Sequence, residues 1–255
     1  ARYIEEARRM NLDILPPDVN ESLINFTVAG QKIRFGLAAV KNVGKGAIEA
    51  IIRAREENGQ FISLRDFCEK VDLRVVNKRV LESLVKCGAF DSTGFHRSQL
   101  LAVLDKTLEE VQLAIKGRES GQVSFFDLVE EPEQFIQFQE KMPDMEEFPN
   151  HILLNMEKEM LGLYISGHPL NHFRHEQRII ARQTTAELGE CGEKDTVKIC
   201  GLVTTIKQIT TKSGDPMVFF TLEDFEGNVE VIVFPKTYAK CGRHVQADHI
   251  VIVSG

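Results

Sequence analysis

Val40-Lys41-Asn42-Val43-Gly44-Lys45-Gly46-Ala47 is the stretch on which the reading of this 255-residue chain turns. A helical pattern runs up to about Val40, and a tight turn is written over Asn42-Val43-Gly44-Lys45-Gly46. A second helical pattern follows from about 46 to 55, with Ala47, Ala50 and Ile51 on the face toward its partner. Gly44 and Gly46 predict a backbone that adopts positive φ and approaches a ligand with no Cβ in the way. The first amides of the second helix have no partner within it and lie at the positive end of its dipole, a natural seat for a phosphate. Lys41 and Lys45 add charge beside them. Lys41, Asn42, Val43, Gly44, Lys45 and Gly46 are therefore the candidate contacts to a nucleic-acid backbone, and such contacts predict sequence-independent, salt-sensitive binding.

A weaker second copy lies at 76–113. There a helix over 76–86 leads into Cys87-Gly88-Ala89-Phe90-Asp91-Ser92-Thr93-Gly94 and a helix over 97–115, with Lys78, Arg79, Lys86 and Arg97 supplying charge. This turn lacks the Gly-x-Gly of the first. Toward the N-terminus, residues 2–15 read as the end of a helix, stopped by Pro16-Pro17. A short hairpin follows, with strands over 24–28 and 32–35 joined at Ala29-Gly30. Beyond 117 the periodicity fades into an acidic stretch punctuated by Pro132, Pro143 and Pro149, expected to be a largely flexible linker. One more amphipathic helix fits 151–164, with Ile152, Met156, Met160 and Leu163 on one face and closure at Gly167 and Pro169.

From about 196 the period shortens to two. Strand-like runs at 197–203, 218–222 and 229–234 are separated by Ser213-Gly214-Asp215 and Glu226-Gly227-Asn228; a short helix at 236–241 precedes a last strand at 249–253. This order suits a small Greek-key barrel of the oligonucleotide-binding (OB) kind. Such barrels have five strands, so the fragment is expected to end inside this domain. Phe219 and Phe220 are candidates to stack bases, with Lys207 and Lys212 near the backbone. Strict alternation puts the two rings on opposite faces, so at least one belongs to the core.

The net charge of −7 conceals its distribution. Residues 31–100 hold 13 Lys and Arg against 8 Asp and Glu, whereas residues 107–160 hold 4 against 13. Screening confines each field to about 10 Å, so an acidic connector does not cancel a basic binding module. Five cysteines, none in a Cys-x-x-Cys and none with a histidine at ligand spacing, predict idle thiols rather than a metal site. No apolar run approaches the length of a membrane helix, and the first residues do not resemble a targeting signal. They begin in the middle of a charged helical pattern, as a piece of a longer chain would. His168 lacks a nucleophile or carboxylate partner in the sequence and reads as a structural helix-end residue.

Within the acidic stretch, Gly121-Gln122-Val123-Ser124-Phe125-Phe126-Asp127-Leu128 is an apolar cluster with no core to join. Its form resembles the short peptide by which replication proteins dock on the bacterial sliding clamp, with Gln122 in a small pocket, Val123, Ser124 and Phe125 along the groove and Phe126 as the plug. Phe125 departs from the leucine usual at that position. Several further stretches extend the likeness: Tyr3-Ile4-Glu5-Glu6-Ala7-Arg8-Arg9-Met10, Leu15-Pro16-Pro17-Asp18-Val19-Asn20, Ile33-Arg34-Phe35-Gly36-Leu37, Val76-Asn77-Lys78-Arg79-Val80-Leu81-Glu82-Ser83-Leu84 and Tyr164-Ile165-Ser166-Gly167-His168-Pro169-Leu170. In these residues the chain resembles the C-terminal portion of the C-family replicative polymerases of bacteria, the DNA polymerase III alpha subunits.

The resemblance implies a multidomain α+β chain: the end of a fingers domain over 1–30, a mostly helical tandem helix-hairpin-helix domain over 31–117, an acidic linker with the clamp-binding peptide over 118–150, a connecting helical segment over 151–195, and an OB-fold over 196–255, incomplete at its end. It implies duplex template-primer DNA, single-stranded DNA, a sliding clamp and other replicase subunits as partners, in the cytoplasm, with no membrane. It places the Mg²⁺-binding carboxylates of nucleotidyl transfer in a palm domain outside this sequence, so neither a cofactor nor catalysis is expected here. An error-prone paralogue and a non-enzymatic scaffold bridging DNA and clamp are the alternatives.

Overall fold

The computed structural model describes Ala7, Met10 and residues 12–119, 142–181, 183–192 and 195–255. It divides into two compact units, Ala1–Ser166 and Gly167–Gly255.

The first unit starts with a small sheet. Strand β1 (Ile14–Leu15) runs parallel to β3 (Lys32–Arg34), which pairs antiparallel with β2 (Thr27–Ala29). The helix expected over 2–15 thus gives way to a strand at its end. The amides of Ile33 and Phe35 donate to the carbonyls of Asp13 (2.9 Å) and Leu15 (3.0 Å), a use of the backbone that a helix would not allow. The following segment is tied down by side chains. Asn20 mimics a strand partner, donating to the carbonyl of Phe61 (2.9 Å) while accepting from its amide (2.8 Å). Arg55 donates to the carbonyls of Val19 and Ser22. Val19 itself is fully buried in the helical core. Residues 12–30 therefore pack in the same body as the helices.

The helical part comprises α1 (Lys45–Asn58), α2 (Leu64–Lys70), α3 (Lys78–Lys86), α4 (Arg97–Glu119) and α5 (Asn150–Leu161). Apolar residues at three- and four-residue spacing face one core: Ala47, Ile48, Ile51 and Ala54 from α1, Leu81 and Leu84 from α3, and Leu100, Leu104, Leu108 and Val111 from α4. Phe61 packs tilted on Phe67, and Phe67 packs edge-on to Phe90, with ring centroids 4.7 and 5.0 Å apart.

Two expectations about the acidic stretch change. Residues 142–149 are not a loose connector: Gln99 donates to the carbonyl of Pro143, Ser98 Oγ to the carbonyl of Glu146, and Met142 packs on the core. Helix α5 also ends earlier than expected, at Gly162 in a left-handed conformation (φ 77°), rather than at Gly167 and Pro169. Its buried face is Leu154, Glu157, Met160 and Leu161, rotated from the face read from the apolar pattern. The reason is Glu157, a fully buried acid that an apolar reading assigns to solvent. It accepts from Arg97 Nη2 (3.3 Å) and from the amides of Ile165 (3.2 Å) and Ser166 (3.1 Å). Arg97 in turn bonds both carboxylate oxygens of Asp91 (3.0 and 2.6 Å) and the carbonyl of Lys86. Burial works against the charge on Arg97, but Asp91 and Glu157 outweigh it and hold its pKa above the ordinary value.

In the second unit, His168 Nδ1 accepts from the amide of Leu170 (3.2 Å) and so caps a short 3-10 turn, Pro169–Phe173, that leads into α6 (Arg174–Ile180). The sheet follows: β4 (Lys198–Thr210), β5 (Pro216–Glu223), β6 (Asn228–Val233) and, after α7 (Pro235–Cys241), β7 (Ile250–Ser254), all antiparallel in the order β6-β5-β4-β7. A bulge between Val203 and Ile206 bends β4, the longest strand, so that it serves both halves of the sheet. Ile199, Val203, Val218, Phe220, Leu222 and Val233 form the core. The β5–β6 turn is held by buried Asp224, which accepts from the amides of Glu226 and Gly227 and from both the amide and hydroxyl of Thr185.

Replacing Glu157 with Ala leaves the buried Arg97 charge partly unpaired, and removal of one partner from such a pair costs about 3–5 kcal/mol. Urea unfolding followed by far-ultraviolet circular dichroism, dominated by the helical unit, is expected to show a loss of that size.

Candidate nucleic-acid interface

The first hairpin is built differently from its sequence reading. Its leading helix is a single 3-10 turn, Leu37–Ala39, not a full helix. Neither Gly44 nor Gly46 takes a positive φ; Asn42 does, at 68°. Gly44 precedes α1 with φ −81° and ψ 162°, and Gly46 lies inside its first turn. A Cβ added at either glycine would meet nothing within 4 Å. The fold itself therefore places no demand for glycine at these two positions.

The start of α1 is also bare of capping groups. Among the described residues no side chain bonds its first amides and no acidic residue lies in its first turn; the start of α5, after Pro149, likewise has no side-chain cap. The two next helices are closed in the ordinary way: Ser63 Oγ accepts from the amide of Asp66 (3.1 Å) and Asn77 Oδ1 from the amide of Val80 (3.1 Å). Lys45 contacts Glu49 one turn along at 3.6 Å with 81% of its side chain exposed. An exposed pair of this kind is weak, so the ammonium remains available to an anion. Lys41 is exposed, while Val43 is buried and anchors the turn in the core.

The second hairpin has no such opening. Glu147 occupies the start of α4, accepting from the amides of Arg97 (2.7 Å) and Ser98 (3.1 Å). Burial opposes the Glu147 charge, but the amides of Phe148, Arg97 and Ser98, with His96 nearby, outweigh burial and hold its carboxyl below the ordinary value of 4.5. Gly88, at φ 82°, is compelled from within: a Cβ there would strike the Arg97 guanidinium and Asp91. Arg97 is buried, so it supplies no charge to an external ligand. Lys78 is held by Asp105 (2.6 Å) and Lys86 lies 3.8 Å from Glu159, while Arg79 is exposed and forms no ion pair among the described residues.

On the sheet of the second unit, Lys207, Phe219 and Ile232 are register partners across β4, β5 and β6 and so form one row on the face opposite the core. Lys207 and Ile232 are exposed and Phe219 is half-buried. Phe220 is only 3% exposed and packs in the core, which removes it from the candidate base-stacking residues. Lys212 is exposed in the β4–β5 turn. Residues 122–126, which carry Gln122, Val123, Ser124, Phe125 and Phe126, lie outside the described residues.

All five cysteines are free, and burial pushes the Cys87 thiol up to about 12. Among the described residues no group of three or more His, Cys, Asp or Glu side chains is placed to hold a metal ion, and no helix is long and apolar enough to cross a membrane. Sequence reasoning missed Glu147 altogether, because nothing distinguishes it from the other acids of its stretch. The caps Ser63 and Asn77 were missed too, although a Ser or Asn just before an apolar helical run is a capping signal.

Helical hairpins with a bare helix start, joined to an antiparallel OB-type sheet, define a nucleic-acid-binding protein of two modules. Residues 11–100 match the helix-hairpin-helix motif family, and residues 197–255 match the OB-fold nucleic acid binding domain. The chain is homologous over its whole length to a segment of the DNA polymerase III alpha subunits. It is 36% identical to that of Mycobacterium tuberculosis over 261 residues, covering 100% of this chain and 22% of the relative. The subunits of Pseudomonas aeruginosa and Escherichia coli are each 36% identical, over 269 and 255 residues, covering 99% of this chain and 23% and 22% of those proteins. The chain thus spans about a fifth of the length of the curated relatives it matches.

The depressed pKa of Glu147 sets a direction for pH dependence. Its contribution to stability is complete above the unfolded value and is lost as pH falls through the lower folded value. Hydrogen exchange at Arg97 and Ser98 is expected to accelerate, relative to the intrinsic rate, as pH drops below about 4.5. In Glu147→Gln that acid-dependent step should be absent.

Proposed function

We propose that this chain is the duplex-holding and clamp-docking segment of a replicative DNA polymerase III alpha subunit, contributing grip and processivity to template-directed synthesis. The observation that carries the reading is the uncapped, glycine-flanked start of α1 beside two exposed lysines, where the starts of α2, α3 and α4 are closed by the chain's own side chains. A phosphate oxygen seated on the amides of Lys45, Gly46 and Ala47 would meet the positive end of the helix dipole, with Lys41 and Lys45 neutralising its charge. Because only backbone is contacted, one hairpin serves every template sequence.

The second hairpin is then chiefly a structural partner; Arg79 is its cation without an ion pair among the described residues, and Lys78 and Lys86, held only in partly exposed pairs with Asp105 and Glu159, add charge beside it. In the second unit, the row of Lys207, Phe219 and Ile232, with Lys212 at the turn, suits a single strand whose bases stack on an aromatic while the backbone tracks cations. The peptide Gln122-Val123-Ser124-Phe125-Phe126 is proposed to dock on the sliding clamp. Two attachments on one chain, one to the duplex and one to a ring around it, reinforce each other through effective concentration. Nucleotidyl transfer and its Mg²⁺ belong, on this reading, to the palm domain of the whole polymerase, which works in the cytoplasm with other replicase subunits.

Gly46→Ala tests the phosphate seat. Alanine within a helix stabilises relative to glycine by roughly 0.5–1 kcal/mol, so the variant should melt no lower than the parent yet bind a labelled duplex more weakly. Replacing Lys41 and Lys45 together with Ala should reduce the slope of log affinity against log salt by about 1.8, two phosphates' worth. Unchanged affinity in both variants would refute the assignment. For the clamp, replacing Gln122, Phe125 and Phe126 with Ala should abolish co-elution with a sliding clamp while leaving duplex binding intact.

A further inference from the structure

Asn42 groups by sequence with the DNA-contacting residues, but its side chain is directed into the protein. Its Nδ2 donates to Ser83 Oγ at 3.0 Å, from the turn of the first hairpin to α3, 41 residues on. Ser83 donates its one hydroxyl proton to the carbonyl of Arg79 (2.8 Å), which leaves its oxygen lone pairs to receive Asn42. Ser83 is 2% exposed, so the bond is shielded from competing water. A second strut holds the same turn: the amide of Lys41 donates to the carbonyl of Met160 (2.9 Å).

The face of α3 that meets the turn has a definite content. Arg79 lies four residues before Ser83 and Lys86 three after it, so all three share one stripe of the helix. Lys86 is engaged with Glu159. Arg79 is exposed, forms no ion pair among the described residues, and stands one helical turn, about 5.4 Å, from the residue that Asn42 touches.

We propose that the Asn42–Ser83 hydrogen bond is a positioning contact that registers the first hairpin against α3, and that Arg79, placed beside the turn by that register, binds a second phosphate of the same DNA strand. The inference rests on the duplex reading above and deepens it: the clasp is a composite of the turn and α3, not a property of the hairpin alone. Asn42 is then required for two reasons. Its backbone takes φ 68°, which asparagine and glycine reach at low cost, and its amide group sets the register. Glycine satisfies the first requirement and not the second.

That difference supplies the test. The full chain and its Asn42→Gly, Ser83→Ala, Arg79→Ala and Arg79→Ala/Ser83→Ala variants are titrated against a fluorescent duplex over a range of salt, with Lys45→Ala as reference and thermal melts as a check on folding. Arg79→Ala should lower the salt slope by about 0.9, one phosphate. Asn42→Gly and Ser83→Ala should each reproduce that fall, and the double variant should fall no further than the singles. Parent-like binding by Asn42→Gly, an unchanged slope in Arg79→Ala, or additive losses in the double variant would each overturn the proposal. If Lys45→Ala weakens binding while these variants do not, the composite clasp fails and the phosphate seat stands. If Lys45→Ala is also silent, both fall.

Discussion

The buried guanidinium of Arg97 is the contact on which the first unit depends. It joins Asp91 in the second hairpin's turn, the carbonyl at the end of α3 and Glu157 on α5, with its side chain 6% exposed and that of Glu157 fully buried. Both charges exist inside the protein only because each has the other and several further hydrogen bonds. Much of the local design follows. Gly88 must be glycine because the guanidinium fills the space a Cβ would take. Helix α5 is rotated to present an acid to the core, and Glu157 then fastens the residues after Gly162 through the amides of Ile165 and Ser166.

The same constraint divides the labour between two hairpins that look alike in sequence. In the second, the turn is filled by Arg97 and the helix start is closed by Glu147, so its polar groups are satisfied from within. In the first, the turn is anchored by Val43 in the core, by Asn42 on Ser83 and by Lys41 on Met160, while the amides at the start of α1 are left open. The two hairpins share one core, so the closed copy helps to hold the open one in place.

The second unit follows a comparable division. Phe220, Val218 and Leu222 face the core along β5 while Phe219 lies on the other side, in register with Lys207 and Ile232. Alternation along the strand thus separates a core face from an outward face at single-residue resolution.

The sequence by itself determined a great deal. Helical and strand periods located most elements to within a few residues, and the Ser213-Gly214-Asp215 and Glu226-Gly227-Asn228 turns were legible from local chemistry. The homology to DNA polymerase III alpha subunits was readable from motif order. Tertiary structure decided the rest, wherever a residue's role depends on a partner far along the chain. Asn20 pairs with Phe61, Asn42 with Ser83, Arg97 with Glu157 and with a backbone carbonyl, and Glu147 with the start of α4. Each of these polar side chains reads as solvent-facing in isolation, because local pattern records apolar spacing and turn propensity but not which distant backbone groups lack a partner. Only the folded chain places an unsatisfied amide beside a particular carboxylate, and at the start of α1 no described residue supplies one.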